Sequence, residues 1–272
     1  MTTVRSTLPV YRFERLTRYP LRHGVTGRYS ELPGDGDVNI AGRLAREQAL
    51  ENRAAWAEEI GIDASAIVSG RQVHGNRVEV VDHSDAGRGA ALIEEAIPAT
   101  DAIVTQAIGL PLLVYTADCV PIIAYDPLRH ALGLAHVGWR GTVSNVAGAL
   151  VEGMQNAFES NPADLLVGIG PSIGPCCYEV GDEVIDAWMD LGLTGCDQAV
   201  IPRGDRSHLD LWHANRIALE AAGVRRDHIE HSGICTCCAS DRYFSRRAAN
   251  GHRGLFATIA ALDVLPESGR DA

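Results

Sequence analysis

Four short apolar runs lie close together in the middle of this chain, and turn residues separate each run from the next. They span residues 102–105, 111–115, 120–125 and 131–137, and Asp126-Pro127 marks one of the turns. Apolar runs of this length, bounded by turn residues, are typical of buried β-strands. The centre of the fold is therefore predicted to be β-sheet.

Segments with helical character surround these runs. Residues 44–60 combine strong helix formers with a helical apolar spacing and stop at Gly61. Further helices are predicted at 143–158, 180–191 and 211–222, further strands at 78–81, 165–169 and 229–234, and the last apolar segment is 254–261. We therefore predict an α/β fold, a single domain of mixed β-sheets with helices packed outside. Residues 1–20 read as a loose N-terminal arm, and residues 23–42, rich in Gly, Pro and Asp, as a long loop.

Composition excludes several classes of protein. The chain has 272 residues, 46% of them hydrophobic, and a formal net charge of -11, which argues against a nucleic-acid partner. We expect neither a secretory signal nor a membrane helix, because no apolar segment is long enough for either role. The seven cysteines are odd in number and partly adjacent, which favours reduced thiols and a cytoplasmic protein.

His74, Cys119 and His136 each lie at the edge of a strand-like run and precede small or turn-forming residues. Two imidazoles and one thiolate can hold a zinc ion and leave its fourth position open, which is the pattern of a catalytic site. The alternative is two ordinary histidines and one buried free cysteine. Gaps of 45 and 17 residues separate the three, so only the tertiary fold could bring them together.

Two longer motifs carry a family resemblance: Thr116-Ala117-Asp118-Cys119-Val120-Pro121 and His136-Val137-Gly138-Trp139-Arg140-Gly141. The chain resembles the YfiH/YlmD-type proteins, long labelled polyphenol oxidases or laccase-domain proteins. Supporting motifs lie at 72–75, 100–102, 170–174, 178–181 and 244–247. The match runs from about His23 onward, so residues 1–22 are predicted as an N-terminal arm and 23–272 as the laccase-domain-like catalytic domain.

The resemblance implies zinc bound by His74, Cys119 and His136. It also implies purine nucleosides and phosphate as partners: phosphorolysis of adenosine, inosine, guanosine or methylthioadenosine, and deamination of adenosine. The front loop departs from the family pattern, because Arg28 and Asn39 are kept but a Gly-Gly pair is missing. The tail at 251–254 is also an imperfect copy of the family's Thr-Gly-Arg region.

Asp118, Arg140 and Arg28 are the candidate catalytic residues. Asp118 adjoins the predicted thiolate and is either a proton-handling or hydrogen-bonding group of the site or a turn-capping residue. Arg140, which we place on a tight loop, and Arg28 are the candidates for binding phosphate, and the alternative for each is a structural salt bridge. No lysine could bind the phosphate instead, because all 24 Lys and Arg residues of the chain are Arg.

The remaining cysteines do not favour a second metal site. Cys176-Cys177 and Cys235-Thr236-Cys237-Cys238 contain one Cys-x-x-Cys spacing rather than two paired halves. We therefore expect neither a metal nor a disulfide there. Gly170-Pro171-Ser172-Ile173-Gly174-Pro175 is predicted as a rigid turn and matches neither a dinucleotide nor a Walker motif.

Other functions stay open at this point. A copper-dependent polyphenol oxidase is disfavoured because none of the ten histidines forms a His-x-His pair, although Cu²⁺ could occupy such ligands in vitro. A non-catalytic metal- or nucleoside-binding protein is a third possibility, and a cysteine-nucleophile hydrolase is disfavoured. The sequence ranks neither the nucleosides nor a monomer against a homodimer.

Overall fold

Residues 8–248 and 254–265 are described by the structure, a computed structural model. The strands are β1 (Leu21–Val25), β2 (Val68–Ser69), β3 (Val78–Val80), β4 (Ala102–Thr105), β5 (Leu112–Thr116), β6 (Val120–Asp126), β7 (Ala131–Val137), β8 (Leu166–Ile169), β9 (Glu179–Val180), β10 (Val200–Arg203), β11 (Arg206–Leu209), β12 (Ile229–His231) and β13 (Phe256–Leu262). The α-helices are α1 (Arg46–Ile60), α2 (Trp139–Val143), α3 (Val146–Phe158), α4 (Asp182–Met189) and α5 (Leu211–Ala221).

Two sheets pack face to face, with helices on both outer sides. A six-stranded mixed sheet has the order β12-β8-β6-β7-β4-β3, and a four-stranded sheet has the order β1-β13-β5-β2. Because side chains alternate along a strand, Ile123 of β6 packs between the sheets while its neighbour Ile122 packs against the helices. Helices α3 and α5 cover that outer face, and Trp56 of α1 covers the four-stranded sheet. The predicted α/β fold of mixed sheets with helices outside is confirmed.

The central strands and helices lie close to their predicted limits. β4 and β7 begin and end at the predicted residues, and α1 ends at Ile60 because Gly61 adopts a left-handed backbone with φ 84°. The predicted helix 143–158 corresponds to α3, which begins three residues later and ends at the predicted residue. The short helix α2 precedes it, and Asn145, with φ 58°, lies between the two helices and caps α3.

The N-terminal region differs from prediction. Phe13 and Leu16 are fully buried between the sheets, so the described part of the predicted arm is packed rather than loose. Residues 21–25, assigned to the arm and the following loop, form β1, which pairs antiparallel with β13. The partner strand lies at the other end of the sequence, so no local pattern could reveal this pairing.

Four short strands escaped prediction: β2, β9 and the hairpin of β10 and β11. β2 and β9 have only two residues each, too few for a pattern, and β10 and β11 lack a continuous apolar run. Residues 251–253 of the tail lie outside the described residues. Within those described, no helix combines the length and the hydropathy that a membrane crossing requires.

Candidate metal centre

His74, Cys119 and His136 meet at one end of the six-stranded sheet. Cys119 immediately precedes β6, His136 lies one residue before the end of β7, and the β6–β7 register pairs Pro121 with His136. His74 reaches the same place from the loop between β2 and β3. One ligand atom from each residue lies within 4.8 Å of the others. The fold thus joins the three residues that the sequence left 45 and 17 positions apart.

The geometry suits a metal with three protein ligands. The Sγ of Cys119 lies 4.0 Å from Nε2 of His74, and the two imidazole rings meet edge to face with centroids 4.7 Å apart. A tetrahedral ion with metal–ligand bonds of about 2.0–2.3 Å needs ligand atoms about 3.5 Å apart. A small inward movement of these side chains would therefore bring three ligand atoms to tetrahedral spacing and leave the fourth position free.

Asp101 organises two of the three ligands. Its Oδ1 accepts hydrogen bonds from Nδ1 of His136 at 2.8 Å and from the His74 backbone N–H at 3.0 Å. Its Oδ2 accepts from the N–H groups of Val73 at 3.0 Å and Gly75 at 2.9 Å. A carboxylate behind an imidazole fixes the tautomer, so Nε2 of His136 is left for a metal. This buried carboxylate therefore supports the ligand loop and the ligand ring together.

The Cys119 thiol and the His136 imidazole shift each other's pKa in opposite directions. Burial opposes ionisation of the Cys119 thiol, but the charge of His136 and hydrogen bonds from both imidazoles lower its pKa to about 6. Burial likewise disfavours protonated His136, but the Cys119 thiolate and the Asp101 carboxylate raise its pKa to about 9. Burial also opposes the charge of Asp101, yet hydrogen bonds from His136 and the backbone lower its pKa. A divalent cation can take the place of the His136 proton, because metal binding requires deprotonated ligands.

The backbone around the centre is strained and crowded. His74 has φ 61° and Asp118 has φ 89°, a left-handed region that non-glycine residues rarely adopt. A Cβ added at Gly138 would lie 2.9 Å from Sγ of Cys119 and 3.0 Å from Cδ2 of His74. Only glycine at this position leaves the space between the ligands free.

The Asp118 carboxylate accepts hydrogen bonds from two loops. Its Oδ1 accepts from the hydroxyl of Thr236 at 2.7 Å, and its Oδ2 accepts from the backbone N–H of Arg247 at 2.8 Å. Its backbone carbonyl also accepts from the N–H of Ile173 at 2.8 Å. Asp118 therefore ties three chain segments to the residue before Cys119.

Arg140 lies on the first turn of α2 and not on the predicted loop, because Gly138 starts a short helix directly after β7. Its exposed guanidinium stacks 4.2 Å above the ring of Trp139. Burial and the charge of Cys119 raise the pKa of Tyr178 to about 12, while Arg247 and Arg140 oppose that rise. The Tyr178 phenol therefore stays protonated in a neighbourhood shared by the thiolate and two arginines.

Arg28 occupies a different set of contacts. It forms an ion pair with Asp35, donates to the backbone carbonyl of Ser240, and lies 5.6 Å above the ring of Phe244. These contacts join the front loop to the segment after Cys238, rather than to the three ligand residues.

Sequence reasoning assigned no role to Asp101, Tyr178 or Arg247. All three lie inside the supporting motifs of the family resemblance, at 100–102, 178–181 and 244–247. Those motifs were the available signal, but only the tertiary contacts show what the residues do. The four sulfurs of Cys176, Cys177, Cys235 and Cys238 also come together, a proximity that the spacing of these residues in the sequence did not indicate.

The chain is similar to proteins of one family. The family described as multi-copper polyphenol oxidoreductase laccase matches residues 27–263. The purine nucleoside phosphorylase YlmD of Geobacillus stearothermophilus is 39% identical over 213 residues, which cover 77% of each chain. Adenosine deaminase RL5, from an unknown prokaryotic organism, is 37% identical over 203 residues, 74% of this chain and 76% of its own.

Solved structures share the fold. The crystal structure of the hypothetical protein YfiH of Bacillus licheniformis matches with a TM-score of 0.88 and 31% identity, over 95% of this chain and 98% of that one. The crystal structure of YlmD from Geobacillus stearothermophilus matches with a TM-score of 0.82 and 32% identity, over 90% and 93%. The chain therefore belongs to the polyphenol oxidoreductase laccase family, as its motifs predicted. Its YlmD and RL5 relatives carry the names of purine nucleoside enzymes.

Proposed function

We propose that this protein is a zinc-dependent purine nucleoside enzyme. It cleaves adenosine, inosine, guanosine or methylthioadenosine with phosphate, and it deaminates adenosine to inosine. The observation that carries the proposal is the convergence of His74, Cys119 and His136, three ligands that would leave the fourth position of a zinc ion for water or substrate. The substrate class is supported by relatives named purine nucleoside phosphorylase and adenosine deaminase.

Zinc fits the donor set. Two imidazoles and one thiolate are ligands that zinc accepts in a tetrahedral arrangement, and three protein ligands leave one position free. Asp101 behind His136 supplies the carboxylate support that zinc-binding histidines commonly have. Bound zinc would supply a Lewis acid at its open position, where it lowers the pKa of water or polarises the substrate.

Phosphate is the co-substrate that requires a cation. We assign Arg140 to phosphate, because it follows His136 by four residues and its guanidinium is exposed and stacks on Trp139. Arg28 is the second candidate, but it must first release its ion pair with Asp35. Tyr178 holds its proton, so its hydroxyl can donate a hydrogen bond to the substrate.

Asp118 acts as a positioning residue in this proposal. Both of its carboxylate oxygens already accept hydrogen bonds, from Thr236 and from Arg247. A proton carried at either oxygen would weaken the hydrogen bond that this oxygen accepts, because it removes the negative charge. Asp118 therefore holds the loops around Cys119 in place rather than moving a proton.

A copper-dependent polyphenol oxidase is the second candidate, and the family description favours it. The residues argue against it, because a multicopper centre needs many histidine ligands, and the candidate metal groups among the described residues contain only two. Copper can still enter a His-His-Cys site in vitro, since Cu²⁺ outcompetes Zn²⁺ for such ligands.

The deciding experiment pairs metal analysis with product analysis. Protein purified under reducing conditions without added metal is analysed for zinc and copper by elemental mass spectrometry. The same sample is incubated with adenosine, with and without phosphate, and the products are separated. We expect the purified protein to contain zinc. Inosine should form under both conditions, and adenine plus ribose 1-phosphate should form only with phosphate.

Variants connect the result to the site. Cys119→Ala should lose one equivalent of zinc and both activities, whereas Cys237→Ser, outside both metal-ligating groups, should keep them. Arg140→Ala should lower phosphorolysis far more than deamination, since only phosphorolysis uses phosphate. A protein that contains copper, oxidises phenols and leaves adenosine unchanged would support the oxidase instead. A protein that contains zinc but forms no product from any nucleoside would indicate a binding protein.

A further inference from the structure

Four cysteine sulfurs converge at a second place in the fold. Cys176 and Cys177 lie in the turn that follows β8, and Cys235 and Cys238 lie in the turn that follows β12. β8 and β12 are parallel neighbours in the six-stranded sheet, so the two turns leave the same end of adjacent strands. The four Sγ atoms all lie within 4.8 Å of one another.

The sulfur spacing fits one tetrahedral ion. Sγ of Cys238 lies 3.5 Å from Sγ of Cys176 and 3.4 Å from Sγ of Cys177. With zinc–sulfur bonds of about 2.3 Å, the corners of a regular tetrahedron lie about 3.8 Å apart. A disulfide would use only two sulfurs and bring them to about 2.0 Å. An iron–sulfur cluster distributes its thiolates over several iron atoms, which spreads them more widely than this group.

The surroundings stabilise negative charge on the sulfurs. The backbone N–H of Gly174 donates to Sγ of Cys235 at 3.2 Å. Arg247 donates to the carbonyl of Cys177 at 3.0 Å, and Arg203 lies 3.4 Å from the carbonyl of Cys176. Four thiolates around a divalent ion carry a net charge of -2, and these two guanidinium groups offset it. Two of the cysteines, Cys176 and Cys238, are exposed, so an ion can reach the group from solvent.

We propose that Cys176, Cys177, Cys235 and Cys238 bind a second zinc ion in a closed, structural tetrathiolate site. It is separate from the centre of His74, Cys119 and His136, and it does not depend on the reaction proposed for that centre. Structural zinc sites are closed by four protein ligands and contribute directly to folding.

A zinc ion bound by the four cysteines would hold in place residues that lie next to the centre of His74, Cys119 and His136. Thr236, which donates to Asp118 at 2.7 Å, lies between the zinc ligands Cys235 and Cys238. Tyr178 directly follows Cys177. An ion holding the two turns together therefore holds in place the residues that surround Cys119, without touching the substrate.

Zinc stoichiometry tests the proposal. Each protein is purified under reducing conditions without added metal, and zinc per chain is measured by elemental mass spectrometry. We expect two zinc ions in the wild type, one in Cys119→Ala, one in Cys238→Ser and none in the double variant. Cys237→Ser is the matched control, since it removes the intervening cysteine that lies outside the group, and it should keep both ions.

A spectroscopic readout identifies the ligands independently of activity. Cobalt substituted into Cys119→Ala should give the intense near-ultraviolet thiolate charge-transfer bands and visible bands of a tetrahedral four-sulfur site. Cys119→Ala leaves all four cysteines intact, so this measurement decides the matter even if Cys238→Ser fails to fold. Complete loss of metal in Cys119→Ala would overturn the proposal. A disulfide found among the four cysteines by mass spectrometry of the reduced preparation, or iron in place of zinc, would do so as well.

Discussion

Replacing Asp101 by asparagine tests how the metal centre is held. The carboxylate accepts four hydrogen bonds, two at each oxygen, and the residue is 1% exposed. Asparagine has one amide oxygen, so its NH₂ group must face one of the two pairs of partners. If it faces Val73 and Gly75, two N–H groups lose their acceptor. If it faces His136, it favours the tautomer that protonates Nε2 and blocks metal binding there.

The magnitude follows from these bonds. Hydrogen bonds to a charged group contribute about 1.5–3 kcal/mol each, so losing two should lower the free energy of unfolding of the metal-free protein by about 3–6 kcal/mol. Removing the carboxylate behind a metal-binding histidine typically costs 10–100-fold in metal affinity. We therefore expect the zinc dissociation constant of the His74–Cys119–His136 centre to rise by about 10–100-fold.

The assay is competition for zinc against a chromophoric chelator, together with urea unfolding of the metal-free protein. Asp126→Asn is the matched control, because Asp126 is also 1% exposed and its Oδ1 accepts from two backbone N–H groups at the far end of β6. Its Oδ2 has no partner among the described residues, so an NH₂ group can take that place without breaking a bond. Zinc affinity in Asp101→Asn equal to that of Asp126→Asn would refute the assigned role of Asp101.

Three further predictions follow from local geometry. Gly138→Ala should lower zinc occupancy and activity at least about 10-fold, since its Cβ enters the space between the ligand side chains. Gly75→Ala, where the added Cβ has no neighbour closer than 3.5 Å, should be tolerated. Equal behaviour of the two variants would contradict the steric argument. Burial lowers the pKa of His23 below its ordinary value of 6.5, so the folded state binds fewer protons there. The stability associated with His23 should therefore be full above about pH 6.5 and fall toward pH 5, and His23→Gln should show a flatter profile in urea unfolding between pH 5 and 7.5. Asn145→Ala should lower the free energy of unfolding by about 2 kcal/mol, because it removes a helix cap and puts alanine at φ 58°, while Asn145→Gly should cost clearly less in the same assay.

Local patterns predicted the elements that depend on local physics. β4 and β7 have the predicted limits and α1 ends at the predicted glycine, because buried strands and helices carry their own periodicity and end signals. The two-residue strands β2 and β9 carry no such pattern. β1 depends on pairing with β13, more than two hundred residues away, and that contact has no local signature.

The sequence by itself determined the chemistry available to the site: two imidazoles and a thiolate as metal ligands, and arginine rather than lysine as the cation for phosphate. The fold decided which groups meet. The β6–β7 register placed Cys119 beside His136, and the hydrogen bond from the His74 backbone N–H to Asp101 holds the His74 loop next to them. Parallel pairing of β8 with β12 brought four cysteines together, although their spacing in the sequence did not indicate a metal site. Side-chain chemistry belongs to single residues, whereas proximity arises from long-range strand register, and only the folded chain contains that information.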